Sequence, residues 1–426
     1  ELEYVPLMTV CHSAGGEFGR NVAYYHPERC FGAVYIKSGN IKSPTDAPEA
    51  NFAGVPFLAI SGQLEEFGPD GGMKDGTSHE IQWKTVRDTL VNLRTANNNY
   101  LTSMLVDPGA GHFPWWNTDA KYTAMFIRKA AQTRLPAAGE VKAQVVCNTI
   151  KVESGWLSDA NLTADKRETA AYNDYKGDKA EAMWYFDEEM ARANAAFNHA
   201  NFGKLDQMVS FNDSNGKVIA PKQDARSVGA YLNYTDANDA TVFKVSGNFL
   251  TIVPSHLPNK GAVLGHADGP VLFRALDGPM VQTGPDTFRI QLSTLDNRID
   301  KLYMLAYHLG DDKYRHAEQP SIPARFYGKF NTGGKGQTIT FPALGNVKID
   351  AAPIDLKATS TSGLPVEFYV TYGPAVIKDG KVVITDVPAG TKYPIEVGIT
   401  AFNLGTRGPG NYAAAAPVTV TFQVEK

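Results

Sequence analysis

A chain of 426 residues is long enough for two to four domains, and its 43% hydrophobic content is enough for true cores. Its 41 lysines and arginines against 45 aspartates and glutamates leave a formal charge of −4, which gives no general attraction to nucleic acid. No run of about 18 apolar residues occurs, so no membrane span is expected, and the three cysteines (Cys11, Cys30 and Cys147) have no metal-ligand spacing; Cys11 and Cys30 read as buried thiols.

Glu1 begins no signal-peptide pattern, and the chain runs almost directly into an apolar stretch, as a mature or cut chain would. That stretch, residues 7–11, leads into His12-Ser13-Ala14-Gly15-Gly16 and then a helix-like run over 17–25. A strand, a sharp turn with serine at its apex and a helix make the pattern of a nucleophile elbow. The small flanking residues suit a tight backbone, and the helix that follows aims its amide dipoles at the serine, favouring negative charge there. Residues 31–38, 55–61 and 102–107 are short apolar runs closed by glycine-containing turns, and read as buried parallel strands. Helices are predicted over 78–95, with Ile81, Val86, Leu90 and Leu93 on one face, and over 117–134, with Tyr122, Met125, Phe126 and Ala130. Alternating strands and helices argue for a parallel α/β sheet, whose chemistry sits beyond the carboxyl ends of its strands.

Three strand ends carry reactive side chains. The first ends at Ser13, the second runs into Gly62-Gln63-Leu64-Glu65-Glu66, and the third into Gly109-Ala110-Gly111-His112-Phe113. With nucleophile, carboxylate and histidine in that order, residues 5–135 resemble the C-terminal half of an α/β-hydrolase of the serine esterase type. The resemblance implies Ser13 as nucleophile and His112 as the base that takes its proton and returns it to the leaving alcohol. It implies Glu65, or its neighbour Glu66, as the acid that orients the imidazole, and the Ala14 amide as one oxyanion donor. No metal and no cofactor enter this chemistry. Two departures stand out. Cys11 occupies a position where the family favours glycine. The strands and the second oxyanion loop that the family places before the elbow are missing, which implies a partner: the N-terminal half of the hydrolase domain, on a separate chain or an absent segment. An elbow strand without it has a bare edge. Trp115 and Trp116 read either as walls of an aromatic substrate pocket or as packing on the following helix. Arg20 reads as a surface or interdomain charge.

A boundary is expected after Leu135-Pro136-Ala137-Ala138-Gly139. Residues 137–205 read as a linker with a helix over 178–199, which would cover the pocket as a lid or pack on the hydrolase part. Its Asp187-Glu188-Glu189 reads as a solvated face rather than a metal cluster, and Glu188 with Arg192 as an i,i+4 pair. Residues 206–331 read as a β-sandwich, with a hairpin at Asn215-Gly216 and strands over 241–254, 270–276, 287–292 and 301–307. Neither His308, Asp311, Asp312 and His316 nor Asp236, Asn238 and Asp239 match a defined metal-ligand pattern. After a linker at Thr332-Gly333-Gly334-Lys335-Gly336, residues 332–426 read as a second sandwich. The stretch Ala358-Thr-Ser-Thr-Ser-Gly-Leu-Pro-Val-Glu-Phe with Gly373-Pro374-Ala375 resembles small immunoglobulin-like modules of bacterial surface and secreted proteins, which implies attachment or spacing rather than chemistry.

The expected architecture is therefore multi-domain: a partial α/β-hydrolase with a parallel sheet, followed by two all-β immunoglobulin-like sandwiches. The expected function is a secreted or envelope-associated serine hydrolase of extracellular carboxylic esters, polysaccharide-linked esters among them. It would act through an acyl-enzyme and a Ser-His-Glu triad. The alternative is a catalytically inactive surface protein, binding or structural, on a hydrolase-like scaffold. Amide or peptide hydrolysis would use the same triad.

Overall fold

The computed structural model describes residues 4–38, 41–64, 80–112, 117–137, 143–162, 164, 166–221, 228–236, 239–255, 257, 259–297, 302–321, 333–406 and 410–426. Among them the chain is mostly β, in several small sheets, with four α-helices and the organisation of a multi-domain protein. No described helix is long and apolar enough to cross a membrane.

The first unit alternates strand and helix: β1 (Leu7–His12), α1 (Gly15–Tyr25), β2 (Cys30–Ile36), β3 (Pro56–Gly62), α2 (Glu80–Ala96), β4 (Leu101–Asp107) and α3 (Asn117–Arg134). The four strands form one parallel sheet in the order β1-β2-β3-β4. Every residue of β3 and β4 is buried, as continuous apolar runs in a covered parallel sheet should be. β1 lies at the edge. Its Val10 is 48% exposed and Phe18 of the adjoining α1 is 71% exposed.

The next segment belongs to the same core. Strands β5 (Trp156–Ser158), β6 (Thr169–Ala171) and β7 (Met183–Tyr185) form a small antiparallel sheet in the order β6-β5-β7, followed by α4 (Glu188–His199). The helix expected over 178–199 is thus shorter at its start. Met183-Trp184-Tyr185, rich in strand-forming aromatics, pairs with β5. The helix begins only where Asp187 caps it, its carboxylate accepting the Met190 amide at 3.0 Å. Leu162, Met183, Tyr185, Met190 and Ala191 join the core of the parallel sheet, and Asn194 donates from Nδ2 to the Met104 carbonyl of β4 at 2.8 Å. Helix α4 therefore packs on the sheet. Lys129 of α3 pairs with both Asp187 (2.5 Å) and Glu189 (2.6 Å), and Arg192 with Glu188 (2.6 Å), so cations hold this acidic stretch as a structural face.

A sandwich-like unit follows. One antiparallel sheet orders Met280–Gln282, Thr287–Ile290, Asp239–Lys244 and Asn233–Asp236, and a second orders Leu272–Asp277, Tyr303–His308 and Ala317–Pro320. The strand expected over 241–254 divides at Val245: Asp239–Lys244 pairs with Thr287–Ile290, while Gly247–Phe249 pairs with Val209–Phe211 in a separate two-stranded sheet. Phe211, Phe243, Phe288 and Met304 lie in its core. The last unit pairs Val347–Lys348, Val418–Glu425, Ile395–Phe402 and Glu367–Tyr372 in one sheet, and Ile354–Asp355, Lys381–Ile384 and Ala375–Lys378 in another. Its Phe402 and Leu404 enter the core of the preceding unit, and Arg289 reaches Glu367 at 2.6 Å across the same junction.

Candidate active site

Strand β1 delivers Ser13 to the carboxyl rim of the sheet. Its amide donates to the Ile36 carbonyl at 3.0 Å, which ties the turn to β2, and the residue takes a left-handed backbone with φ of 56°. A non-glycine residue held there is strained, and such strain concentrates where a side chain must be presented at an apex. Ser38 donates from Oγ to the Ser13 carbonyl at 2.8 Å. Helix α1 starts at Gly15. Among the described residues, the Ala14 and Gly15 amides donate to no protein group, as the first amides of a helix do until an anion arrives.

The position where glycine was expected is solved differently. A Cβ on Gly19 of α1 would lie 2.6 Å from Cys11 Sγ, so a glycine on the helix gives the cysteine the room that a glycine on the strand would otherwise supply. Burial pushes the Cys11 thiol up, against the opposing hydrogen bond from Gly19, which disfavours its thiolate beside the serine. All three cysteines are free. Arg20, expected at a surface or interdomain position, is instead buried on α1, with its guanidinium held by Asn21 at 2.9 and 3.1 Å.

From the other side, the loop after β4 brings His112 to Ser13: Nε2 and Oγ stand 2.7 Å apart across 99 residues of chain. His112 is 2% exposed. Three contacts fasten its loop. His12 Nε2 donates to the His112 carbonyl at 2.8 Å; the Gly109 amide donates to Gln63 Oε1 at 2.9 Å; the Leu64 amide donates to the Ala110 carbonyl at 2.8 Å. Gly109 has φ of 70°, and a Cβ there would collide with the His316 carbonyl oxygen, so the sandwich unit presses directly on this loop. Beneath it, Lys37 donates from Nζ to Asp107 at 3.1 Å, with both side chains almost wholly buried. Burial first, and then Asp119, push the Asp107 carboxyl well above the usual carboxylate range, against the pull of Lys37.

Of the residues read from sequence, Ser13, Ala14 and His112 meet at this rim. Glu65, Glu66, Trp115 and Trp116 lie outside the described residues. His12, Ser38, Gln63 and the Lys37–Asp107 pair were not foreseen. His12 directly precedes the serine and carried a signal; a lysine closing an apolar strand reads as a solvated end and carried none. Elsewhere, His308 is occupied by Gln207, the Gly310 amide and the Asp268 carbonyl, and Asp311 accepts the Lys313 and Tyr314 amides. No metal-binding group of three or more His, Cys, Asp or Glu exists among the described residues. Asp236 and Asp239 face each other across a strand pair; Asn238 lies outside the described residues.

No family model matches this chain, and no curated protein matches it. Among solved structures it is similar to human protocadherin-24 EC1-2 (12% identity, 37% of this chain and 82% of that one, TM-score 0.17). It is also similar to mouse protocadherin-24 EC1-3 (13% identity, 67% and 86%, TM-score 0.17) and to the protocadherin gammaB7 EC3-6 cis-dimer (10% identity, 51% and 49%, TM-score 0.16). Likeness at this level carries no argument about what this chain does.

Proposed function

We propose that the chain is a serine hydrolase of carboxylic esters, built on an α/β-hydrolase scaffold. One observation carries the reading: a serine strained at the apex between a parallel strand and a helix, with an imidazole nitrogen 2.7 Å from its hydroxyl. With His112 Nε2 unprotonated, Ser13 donates its proton as it attacks the ester carbonyl, and the tetrahedral oxyanion forms beside the free amide of Ala14. His112 then protonates the leaving alcohol, and water hydrolyses the acyl-Ser13 by the reverse relay. Glu65 or Glu66 takes the role of the acid behind His112. Trp115 and Trp116 follow His112 closely in sequence and are assigned to the substrate wall.

The reading also assigns a partner. The outer edge of β1 has no strand against it among the described residues, and Val10 and Phe18 stand exposed beside it. An open edge with apolar neighbours calls for cover. We assign it to the N-terminal half of the hydrolase scaffold, carrying the second oxyanion donor. The masses of all polypeptides in the purified protein test this. The resemblance of the last module to those of secreted and surface proteins supports a location outside the cytoplasm and an extracellular ester as substrate.

The enzymatic reading is tested with a fluorophosphonate probe on the protein together with any partner it purifies with. Covalent labelling that Ser13→Ala abolishes is expected. A folded, complete protein that takes no label would instead make the chain a binding or structural protein on an inactive scaffold.

A further inference from the structure

The strand that delivers the serine also reaches the histidine. His12 ends β1, directly precedes Ser13 and is exposed. Its Nε2 stands 2.8 Å from the carbonyl oxygen of His112. A carbonyl oxygen can only accept, so the proton is on Nε2 and His12 is the donor. The two imidazole rings also lie side by side, with centroids 5.0 Å apart and planes tilted by 45°.

These contacts close a ring. From Ser13 the path runs through one peptide bond to His12, across its hydrogen bond to the His112 main chain, along the His112 side chain to Nε2, and back over 2.7 Å to Ser13 Oγ. The serine side of the ring is stiff, because the Ser13 amide is tied to the Ile36 carbonyl at 3.0 Å and its backbone is left-handed. On the histidine side, Gln63 and Leu64 hold the loop at Gly109 and Ala110, whereas His12 takes hold of residue 112 itself. The end of β1 and the backbone of the base are therefore set against each other by a side chain one residue from the nucleophile.

We propose that His12 is a positioning residue: its hydrogen bond to the His112 main chain sets the distance and aim of the His112 imidazole on the Ser13 hydroxyl. The inference rests on the hydrolase reading, since His12 acts here only through the base. Proton transfer needs the two heavy atoms within about 2.6–3.2 Å, and a misplacement of about 1 Å can cost roughly a hundredfold in rate. Gln63 and Leu64 still hold the start of the loop when His12 lets go, so a smaller shift and a loss of about tenfold are expected.

The test is the second-order rate of fluorophosphonate labelling at Ser13, measured on the full chain, with any partner it purifies with, in the parent, His12→Gln and His12→Phe. Glutamine carries an amide N–H at a reach similar to that of Nε2 and keeps the donor; phenylalanine keeps a ring and loses the donor. Because His12 is exposed, neither exchange opens a core. His12→Phe should label about tenfold more slowly than the parent and His12→Gln within about twofold of it, with the three melting alike. A His12→Phe protein that labels as fast as the parent overturns the proposal. So does a His12→Gln protein as slow as His12→Phe, or a rate that falls only in step with melting temperature. A parent that takes no label removes the hydrolase reading and this inference together; a labelled parent whose variants label equally fast removes this inference alone.

Discussion

At the scale of single residues, the site is held by groups that do no chemistry themselves. Lys37, Asp107 and Asp119 are the clearest case. Two carboxyls in hydrogen-bond contact oppose each other's ionisation, so burial and Asp119 raise the Asp107 carboxyl while Lys37 pulls it down. The sign of the pH effect follows. Asp107 holds its proton to higher pH when folded than when unfolded, so its contribution favours folding below the ordinary carboxylate value near 3.8 and is lost as pH rises through the raised value. Asp119→Asn removes the second-largest cause of the shift and brings the Asp107 value down. Urea midpoints measured between roughly pH 4 and 8 should therefore decline with pH less steeply in the variant than in the parent; equal slopes would count against this coupling. None of this is legible in sequence, because a lysine and two aspartates dispersed over about eighty positions give no pattern until the chain stacks β2 beside β3 and β4. Ser13 and His112 are legible because each follows an apolar run and sits among glycines, a local arrangement with few other physical uses.

Among elements, the segment from β4 to His112 shows how one turn serves two units. The Gly109 backbone is left-handed, and the sandwich carbonyl at His316 occupies the space that a side chain would need. Gly109→Ala should cost about 1–3 kcal/mol through strain at φ of 70°. It should also slow fluorophosphonate labelling of Ser13, because any shift of the loop moves the imidazole of His112. Thermal melting and labelling rate, measured together, check this; an unchanged rate in a destabilised protein would separate the turn from the site. The four parallel strands and the helix Asn117–Arg134 could be read from apolar runs and helical spacing. The start of α4 could not. Residues 178–182 and Met183–Tyr185 fit a helical apolar face as well as they fit a strand, and only pairing with β5 decides between them. The break at Val245 is hidden for the same reason: a continuous apolar-alternating run says nothing about a change of partner strand.

For the molecule as a whole, the units are joined by packing as well as by chain. Phe402 is almost fully buried and ends the last unit's strand Ile395–Phe402, yet it sits in the core of the sandwich before it. Phe402→Ala should cost about 3–5 kcal/mol and lower the stability of both units together, seen as one displaced transition in chemical denaturation. Two separate transitions, with only the last unit affected, would show that the junction is not cooperative. By contrast Arg289–Glu367, at the same junction, is part-exposed and contributes at most about 1 kcal/mol.

The meeting of Gly109 with His316 sets a limit on modular exchange. Domains strung on flexible tethers can be shuffled between proteins without regard to one another. Here the fit between the histidine-bearing turn and a neighbouring carbonyl has to travel as a unit, so a chimera carrying a foreign sandwich would inherit the serine and the imidazole but not the surface against which their loop is set.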